Sequence, residues 1–320
     1  MIRIGAVNID ISHPRSFAEY LKTGNRAQYV AVYNDGFRED DEVEAFIRRY
    51  NMEKRCRTLE ELADCVDVAF VQSCNWDKHL AYAKPFIVRK KPVFIDKPFV
   101  GNIRDCKAVE KLAASGAVIL GSSSVRYAQE IVNFASQPES ERGKILNAFG
   151  TSGVDEFNYS VHVVEGIGGI VGAGAQSCAF MGRSKIEGKV CETFFVKYAN
   201  GVTATYNTFQ GTWQPFEFVI MTTKRTYQFR VDTAKIYAAL LDRICDYMEN
   251  KNNPLAPVPA LTESVKIMLA GRISREQNGR ECRLADIPDN DPGYDGNLFE
   301  RAYAATAAAA VAAGTKKLYL

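Results

Sequence analysis

The chain is expected to form two domains: an α/β doubly wound parallel sheet, then an α+β domain with a large open, mostly antiparallel sheet. Three observations carry this expectation. At 320 residues the chain exceeds what one ordinary hydrophobic core supports. Up to residue 122, short and nearly continuous apolar strands alternate with helical stretches, the pattern of a parallel sheet covered on both faces. Beyond residue 123 the hydrophobic period falls to two, with β-branched and aromatic residues, as in a sheet open on one face. The expected divisions are 1–122, 123–287 and a C-terminal extension, 288–320, carrying an alanine-rich helix.

In the first division the strands are expected at Ile2–Asn8, Tyr29–Tyr33, Val66–Gln72, Pro92–Ile95 and Ala117–Leu120. Helices fall at Ser16–Lys22, Val43–Tyr50, Leu59–Cys65, His79–Arg89 and Asp105–Ser115. The acidic run from Glu39 to Glu44 suits a solvated helix start, because carboxylates favour the positive end of the helix dipole. In the second division the alternating runs begin near Lys144, Ser177, Val190, Val202, Phe216 and Thr226. Asn200-Gly201 between two of them is a strong hairpin signal. Helices return at Ala234–Glu249 and Thr262–Gln277, the latter closed by Gly279, and again at Ala302–Ala313.

Composition narrows the function classes. Hydrophobic residues make up 47% and charged residues 24%, which suits a soluble globular protein. A net charge of +2 gives no electrostatic case for nucleic acid or membrane as partner. No apolar run reaches the length of a membrane span. Eight scattered cysteines without Cys-x-x-Cys spacing argue against a metal centre and for reduced thiols in the cytoplasm.

The chemistry-bearing residues cluster near strand ends. Lys97 follows the strand Pro92–Ile95 and Asp96, and Pro98 keeps it extended, so a cation is held at the sheet edge where open α/β sheets bind ligands. The run Gln72-Ser73-Cys74-Asn75-Trp76-Asp77-Lys78-His79 directly follows another strand. If the segment around His162 is helical, Asn158, His162 and Glu165 share one face, and Asn158 could orient His162 as a general base.

Asn75-x-x-x-His79, the stretch to Lys91, and Pro92-Val-Phe-Ile-Asp96-Lys97-Pro98 resemble the glucose–fructose oxidoreductase and inositol dehydrogenase (Gfo/Idh/MocA) family, which has Glu-Lys-Pro at the last position. Gly121–Tyr127, His162 and Leu261–Leu284 are similar to later family segments in the same order, so the resemblance spans about residues 1–285. It implies a Rossmann domain binding NAD or NADP, and an open-sheet domain supporting a sugar or polyol site. Carried over, Lys97 would stabilise the developing alkoxide and His162 would take the hydroxyl proton, with a Lys97–Pro98 peptide that is often cis in the family. Ser73, Asn75, His79 and Lys97 would face the cofactor. The family also implies a homodimer or homotetramer formed through the open sheet.

The chain departs from the family at two places. Where Gly-x-Gly-x-x-Gly should follow the first strand, it carries Asn8-Ile9-Asp10-Ile11-Ser12-His13-Pro14, placing bulk and a carboxylate where a pyrophosphate would approach. Asp10-x-Ser12-His13 is similar to a branch of the family lacking the glycines, and a helix start near Ser12 or His13 could still face an anion. The second departure is Asn158, where the family has an aspartate; Asp155 or Glu165 could substitute. After the second strand, Asn34 or Asp35 could bind the ribose hydroxyls, and with no adjacent arginine NAD is preferred over NADP. Arg126, Tyr127 and Trp213 are further candidates for substrate contact. The leading expectation is an NAD(P)-dependent oxidoreductase acting on a sugar, polyol or related hydroxy compound. Two alternatives stand beside it: an NAD-retaining lyase or glycosidase of the same family, and a non-catalytic binding or regulatory protein on this scaffold.

Overall fold

The computed structural model describes residues 1–319. The N-terminal sheet contains β1 (Ile2–Val7), β2 (Ala27–Tyr33), β3 (Lys54–Arg55), β4 (Val68–Val71), β5 (Val93–Asp96) and β6 (Ile119–Ser122). Between them run α1 (His13–Leu21), α2 (Asp40–Tyr50), α3 (Leu59–Cys65), α4 (His79–Val88) and α5 (Ile103–Ala114). All strand pairs are parallel and the order is β3-β2-β1-β4-β5-β6. The order reverses between β1 and β4, which opens a crevice at their carboxyl ends. Every residue of β4 and β5 is buried, which explains why their sequences read as unbroken apolar runs. Phe17, Phe70 and Phe94 fill one face of this sheet; burying each contributes roughly 1.5–3 kcal/mol.

A short 3-10 turn (Ser124–Tyr127), α6 (Gln129–Ala135) and α7 (Glu139–Arg142) lead into the second sheet. That sheet comprises β7 (Ile145–Gly153), β8 (Ala175–Ile186), β9 (Lys189–Tyr198), β10 (Thr203–Gln210), β11 (Gln214–Thr222), β12 (Thr226–Arg230) and β13 (Cys282–Arg283). Its helices are α8 (Phe157–Val171), α9 (Ile236–Met248) and α10 (Val258–Glu276), and α11 (Gly296–Ala312) closes the chain. The strand order is β12-β11-β7-β10-β9-β8-β13, antiparallel except for the β7–β10 pair. Asn200-Gly201 turns β9 into β10, with Gly201 at φ +84°. Phe194, Tyr206 and Phe218 are buried beneath the helices on the covered face.

Among the differences from expectation, four elements have identifiable reasons. α1 begins at His13 rather than Ser16, because Pro14 sits in the first turn, where a missing N–H leaves no bond unmade. β3 and β13 have two residues each, too few to show a period. α11 starts at Gly296 instead of Ala302, capped by Asp295, whose carboxylate accepts from the Leu298 amide at 2.7 Å. Among the described residues no helix is long and apolar enough to cross a membrane.

Candidate active site

The end of β5 and the start of α8 meet at the seam between the two sheets. Lys97 Nζ donates to Asn158 Oδ1 at 2.7 Å and to the Asn158 carbonyl at 3.1 Å. The ammonium also lies 5.6 Å from the centre of the Tyr159 ring. Burial pushes the Lys97 pKa down, against the pull of Asp96 and Asp155. The Lys97–Pro98 peptide is cis.

His162 sits one turn after Asn158 on α8 and is buried. Burial first, then the nearby Lys97 and His13 charges, hold its pKa well below the ordinary value, so the imidazole is neutral near pH 7. The sequence assigned its orientation to Asn158, and the structure corrects this. His162 Nδ1 lies 2.6 Å from Ser123 Oγ, while Asn158 is occupied by Lys97 and by Asp155, to which its amide donates at 3.2 Å. Glu165 does not substitute either: it faces away to Arg126.

Behind Lys97, His13 Nδ1 lies 2.7 Å from Asp96 Oδ2, and Asp96 Oδ1 accepts from the Lys97 amide. Burial would raise the Asp96 pKa, but His13 and Lys97 outweigh it and hold the carboxylate below its ordinary value. His13 also stacks on Phe17 with ring centres 5.6 Å apart. The first helical position of α1 is thereby fixed to the strand end that carries Lys97.

The loops that replace the glycine fingerprint are joined by side chains. Asn8, at φ +65°, accepts from the Asp35 amide, and Asn34 Oδ1 accepts from the Ile9 amide. Asp10 Oδ2 accepts from Ser73 Oγ and the Cys74 amide, both at 3.1 Å, so its carboxylate is turned onto the β4–α4 loop. A side chain at Gly36 would collide with Asp10, its Cβ falling 1.9 Å from Oδ1. Burial pushes the Asp10 carboxyl up to about 6. Sequence reading missed Arg38, whose guanidinium donates twice to the Asp10 carbonyl (2.7 and 3.0 Å). Its position four residues after Asn34 was the available signal. Asp35 accepts from the Tyr82 hydroxyl at 2.6 Å. Ser12 caps α1 by position without a side-chain bond, leaving the first-turn amides unclaimed by a cap.

Four candidates take other roles. His79 is fully buried, with Nδ1 3.1 Å from the Phe99 carbonyl and Nε2 2.9 Å from the Ser73 carbonyl, so both ring nitrogens are committed to backbone. Arg126 is paired with Glu165 at 2.5 Å in the interior rather than facing a substrate. The Tyr127 hydroxyl bridges the Gly121 carbonyl and the Ala256 amide. Trp213 is 58% exposed in the turn between β10 and β11 and joins none of the hydrogen bonds around Lys97. Asn75 remains at the crevice, but its amide donates to Asn297 and Glu300 of α11. A cavity of about 320 Å³ opens beside Asn158, walled by Trp76, Phe157, Tyr294, Leu298 and Phe299.

A parallel sheet with a crevice at its reversal point is thus flanked by a buried lysine from one domain and a buried histidine from the other. Residues 4–124 match the model of the oxidoreductase family with an NAD-binding Rossmann fold (GFO_IDH_MocA). Solved structures share the fold over about nine-tenths of the chain. Myo-inositol dehydrogenase from Lactobacillus casei, in complex with NAD(H) and myo-inositol, is 12% identical, with a TM-score of 0.75 over 88% of this chain and 96% of that one. Scyllo-inositol dehydrogenase from the same organism, with bound NAD(H) and scyllo-inositol, is 15% identical, with a TM-score of 0.71 over 89% of this chain and 100% of that one. An oxidoreductase from Thermotoga maritima is 15% identical, with a TM-score of 0.71 over 90% and 99%. None of the curated proteins matches the chain.

Proposed function

We propose that this protein oxidises a CH–OH group of a carbohydrate-like compound, a sugar, polyol or relative, with NAD or NADP as hydride acceptor. The observation that carries the reading is the arrangement of Lys97 and His162 from opposite sides of the domain seam. A secondary alcohol is a very weak acid, so loss of hydride from its carbon needs a base and a cation near its oxygen. Lys97, fixed by Asn158, is the cation that would stabilise the alkoxide. His162 is the base: in the tautomer that donates Nδ1–H to Ser123 Oγ, the Nε2 lone pair is left to accept the hydroxyl proton.

The residues at the crevice fit a dinucleotide. The amides opening α1 suit an anion, and the buried Asn8 Nδ2 and Gln72 Nε2 have no partner among the described residues. Bound there, the cofactor supplies the hydride acceptor. Asn34 and Asp35 would take the ribose hydroxyls, and since Arg38 is turned onto the Asp10 carbonyl, NAD is preferred over NADP. Titration calorimetry of the full chain with NAD, NADH, NADP and NADPH tests the reading. Binding of at least one is expected; no binding of any at millimolar concentration contradicts it and leaves a binding protein on this scaffold.

The protein is further proposed to act in the cytoplasm, in keeping with its eight free cysteines, and to associate as a dimer or tetramer through its open sheet. Leu146, Met181 and Met221 stand exposed on strands of that sheet, the kind of apolar surface that a second copy would cover. Light scattering showing only monomer would contradict the association.

A further inference from the structure

We infer that the C-terminal segment from Gly293 to Tyr319 is a strap that closes the dinucleotide crevice and must leave it before the cofactor binds. The inference rests on the reading above that this crevice takes a nicotinamide dinucleotide.

The path of the segment is the first argument. Gly296 donates its amide to Asp77 at 2.9 Å, and Asn75 donates to Asn297 and Glu300 at 2.9 and 2.8 Å. Glu300 pairs with Lys78, and Phe299 packs on Trp76 with ring centres 4.9 Å apart. These contacts hold α11 to the loop after β4. Further along, Tyr303 meets Phe37 in the loop after β2, and Lys317 pairs with Glu39 and Asp41. The chain end then reaches the loop after β1: Tyr319 donates to the Ile11 carbonyl at 2.8 Å, and Arg15 donates to the Leu318 carbonyl at 2.8 Å. One segment thus crosses the loops following β4, β2 and β1, the three that surround the reversal point of the sheet. Asn8, Asp10, Ser73 and Asn75 are all buried with the strap in place.

Charge is the second argument. Asp10, Cys74 and Glu300 bring their acidic or thiol atoms within 4.8 Å of one another. The strap therefore sets a carboxylate beside the loop where a pyrophosphate would lie, and two anions exclude each other in a buried setting.

The strap is closely fitted at its start and lightly held along its length. A side chain at Gly296 would put Cβ 2.5 Å from Asn75 Oδ1 and 3.0 Å from the Asp77 amide. Along α11, Gly296 is the one buried residue, and the alanine run after Tyr303 offers little side chain to pack. Alanine keeps helix propensity high whether or not the helix is docked. A cofactor that binds only the open form has its apparent affinity reduced by the open fraction.

The test uses two full-length variants that loosen the strap without adding positive charge that could attract a phosphate. Gly296→Val blocks the close approach to Asn75, and Lys317→Glu sets a carboxylate against Glu39 and Asp41. Calorimetry with NAD and NADH is combined with the rate of Cys74 alkylation by N-ethylmaleimide, because this buried thiol lies beside Glu300 and reports opening. Both variants are expected to alkylate faster at Cys74 and to bind dinucleotide about tenfold or more tightly than the wild type. Faster alkylation with unchanged or weaker dinucleotide affinity would overturn the strap while leaving the cofactor reading intact. Unchanged alkylation in both variants would overturn it as well. No dinucleotide binding by the wild type or either variant would sink the cofactor reading itself and this inference with it.

Discussion

Lys97 donates to the Asn158 side chain across the domain seam at 2.7 Å, so the cation of one domain is held by the first turn of a helix belonging to the other. Charge-assisted hydrogen bonds of this kind contribute about 1.5–3 kcal/mol. Asn158→Ala is therefore expected to lower kcat/KM by roughly 10- to 100-fold, chiefly through kcat. Asn158→Asp, which supplies an equivalent acceptor, should retain most of the activity. A rise in KM with kcat unchanged would place Asn158 in substrate binding instead.

Ser123 holds His162 in the structure, and its removal separates orientation from chemistry. Ser123→Ala should lower kcat about tenfold or more while leaving cofactor affinity unchanged. The pH profile gives a second readout. Because His162 is held well below the ordinary histidine pKa, the acidic limb of kcat/KM should fall below pH 6.5. Because burial lowers Lys97, the alkaline limb should begin below 10.5. An acidic limb that persists unchanged in His162→Ala would assign it to another group.

Asp10 gives a stability prediction with a defined sign. Its carboxyl is raised from 3.8 to about 6 in the fold, so the unfolded state gives up the proton first as pH rises. The stability associated with the protonated group is fully present below the unfolded pKa and is lost as pH rises through about 6, a change on the order of 3 kcal/mol. Asp10→Asn keeps an acceptor for Ser73 and the Cys74 amide and removes the charge. In urea unfolding it should match the wild type near pH 4 and exceed it at pH 8. The same difference at both values would contradict the shift.

Arg126 is expected to matter for stability and not for substrate. Arg126→Met leaves Glu165 buried without its partner, and removing one member of such a pair destabilises by about 3–5 kcal/mol. Denaturant unfolding measures this directly. A variant with wild-type stability and a raised KM would restore Arg126 to the substrate site.

The sheet architecture was legible because buried parallel strands such as β4 and β5 write continuous apolar runs, and the open sheet writes a period of two. The strand end carrying Lys97 and the helix carrying His162 were legible because Pro98 and the helical spacing mark their local geometry. The partners were not. Ser123 lies 39 residues from His162, and Asp96 lies 83 from His13, so no local pattern links them. Asn158 was assigned to the wrong neighbour because helical spacing places it under His162 but cannot reveal Lys97 arriving from another domain. His79 and Arg126 looked functional because polar residues at strand ends often are. Only the fold shows their polar atoms committed to Ser73, Phe99 and Glu165. The strap was legible as an alanine-rich helix, but its docking depends on Asn75 and Lys78, more than two hundred residues upstream.

The central claim is that His162 accepts the substrate proton while Lys97 stabilises its oxygen. Formation of reduced nicotinamide by wild type and His162→Ala, followed by absorbance across a panel of polyols and sugars, tests it most directly. Turnover by the wild type is expected on at least one member, with a loss of about 10²- to 10⁴-fold in the variant and cofactor affinity unchanged. Wild-type turnover in His162→Ala would contradict it.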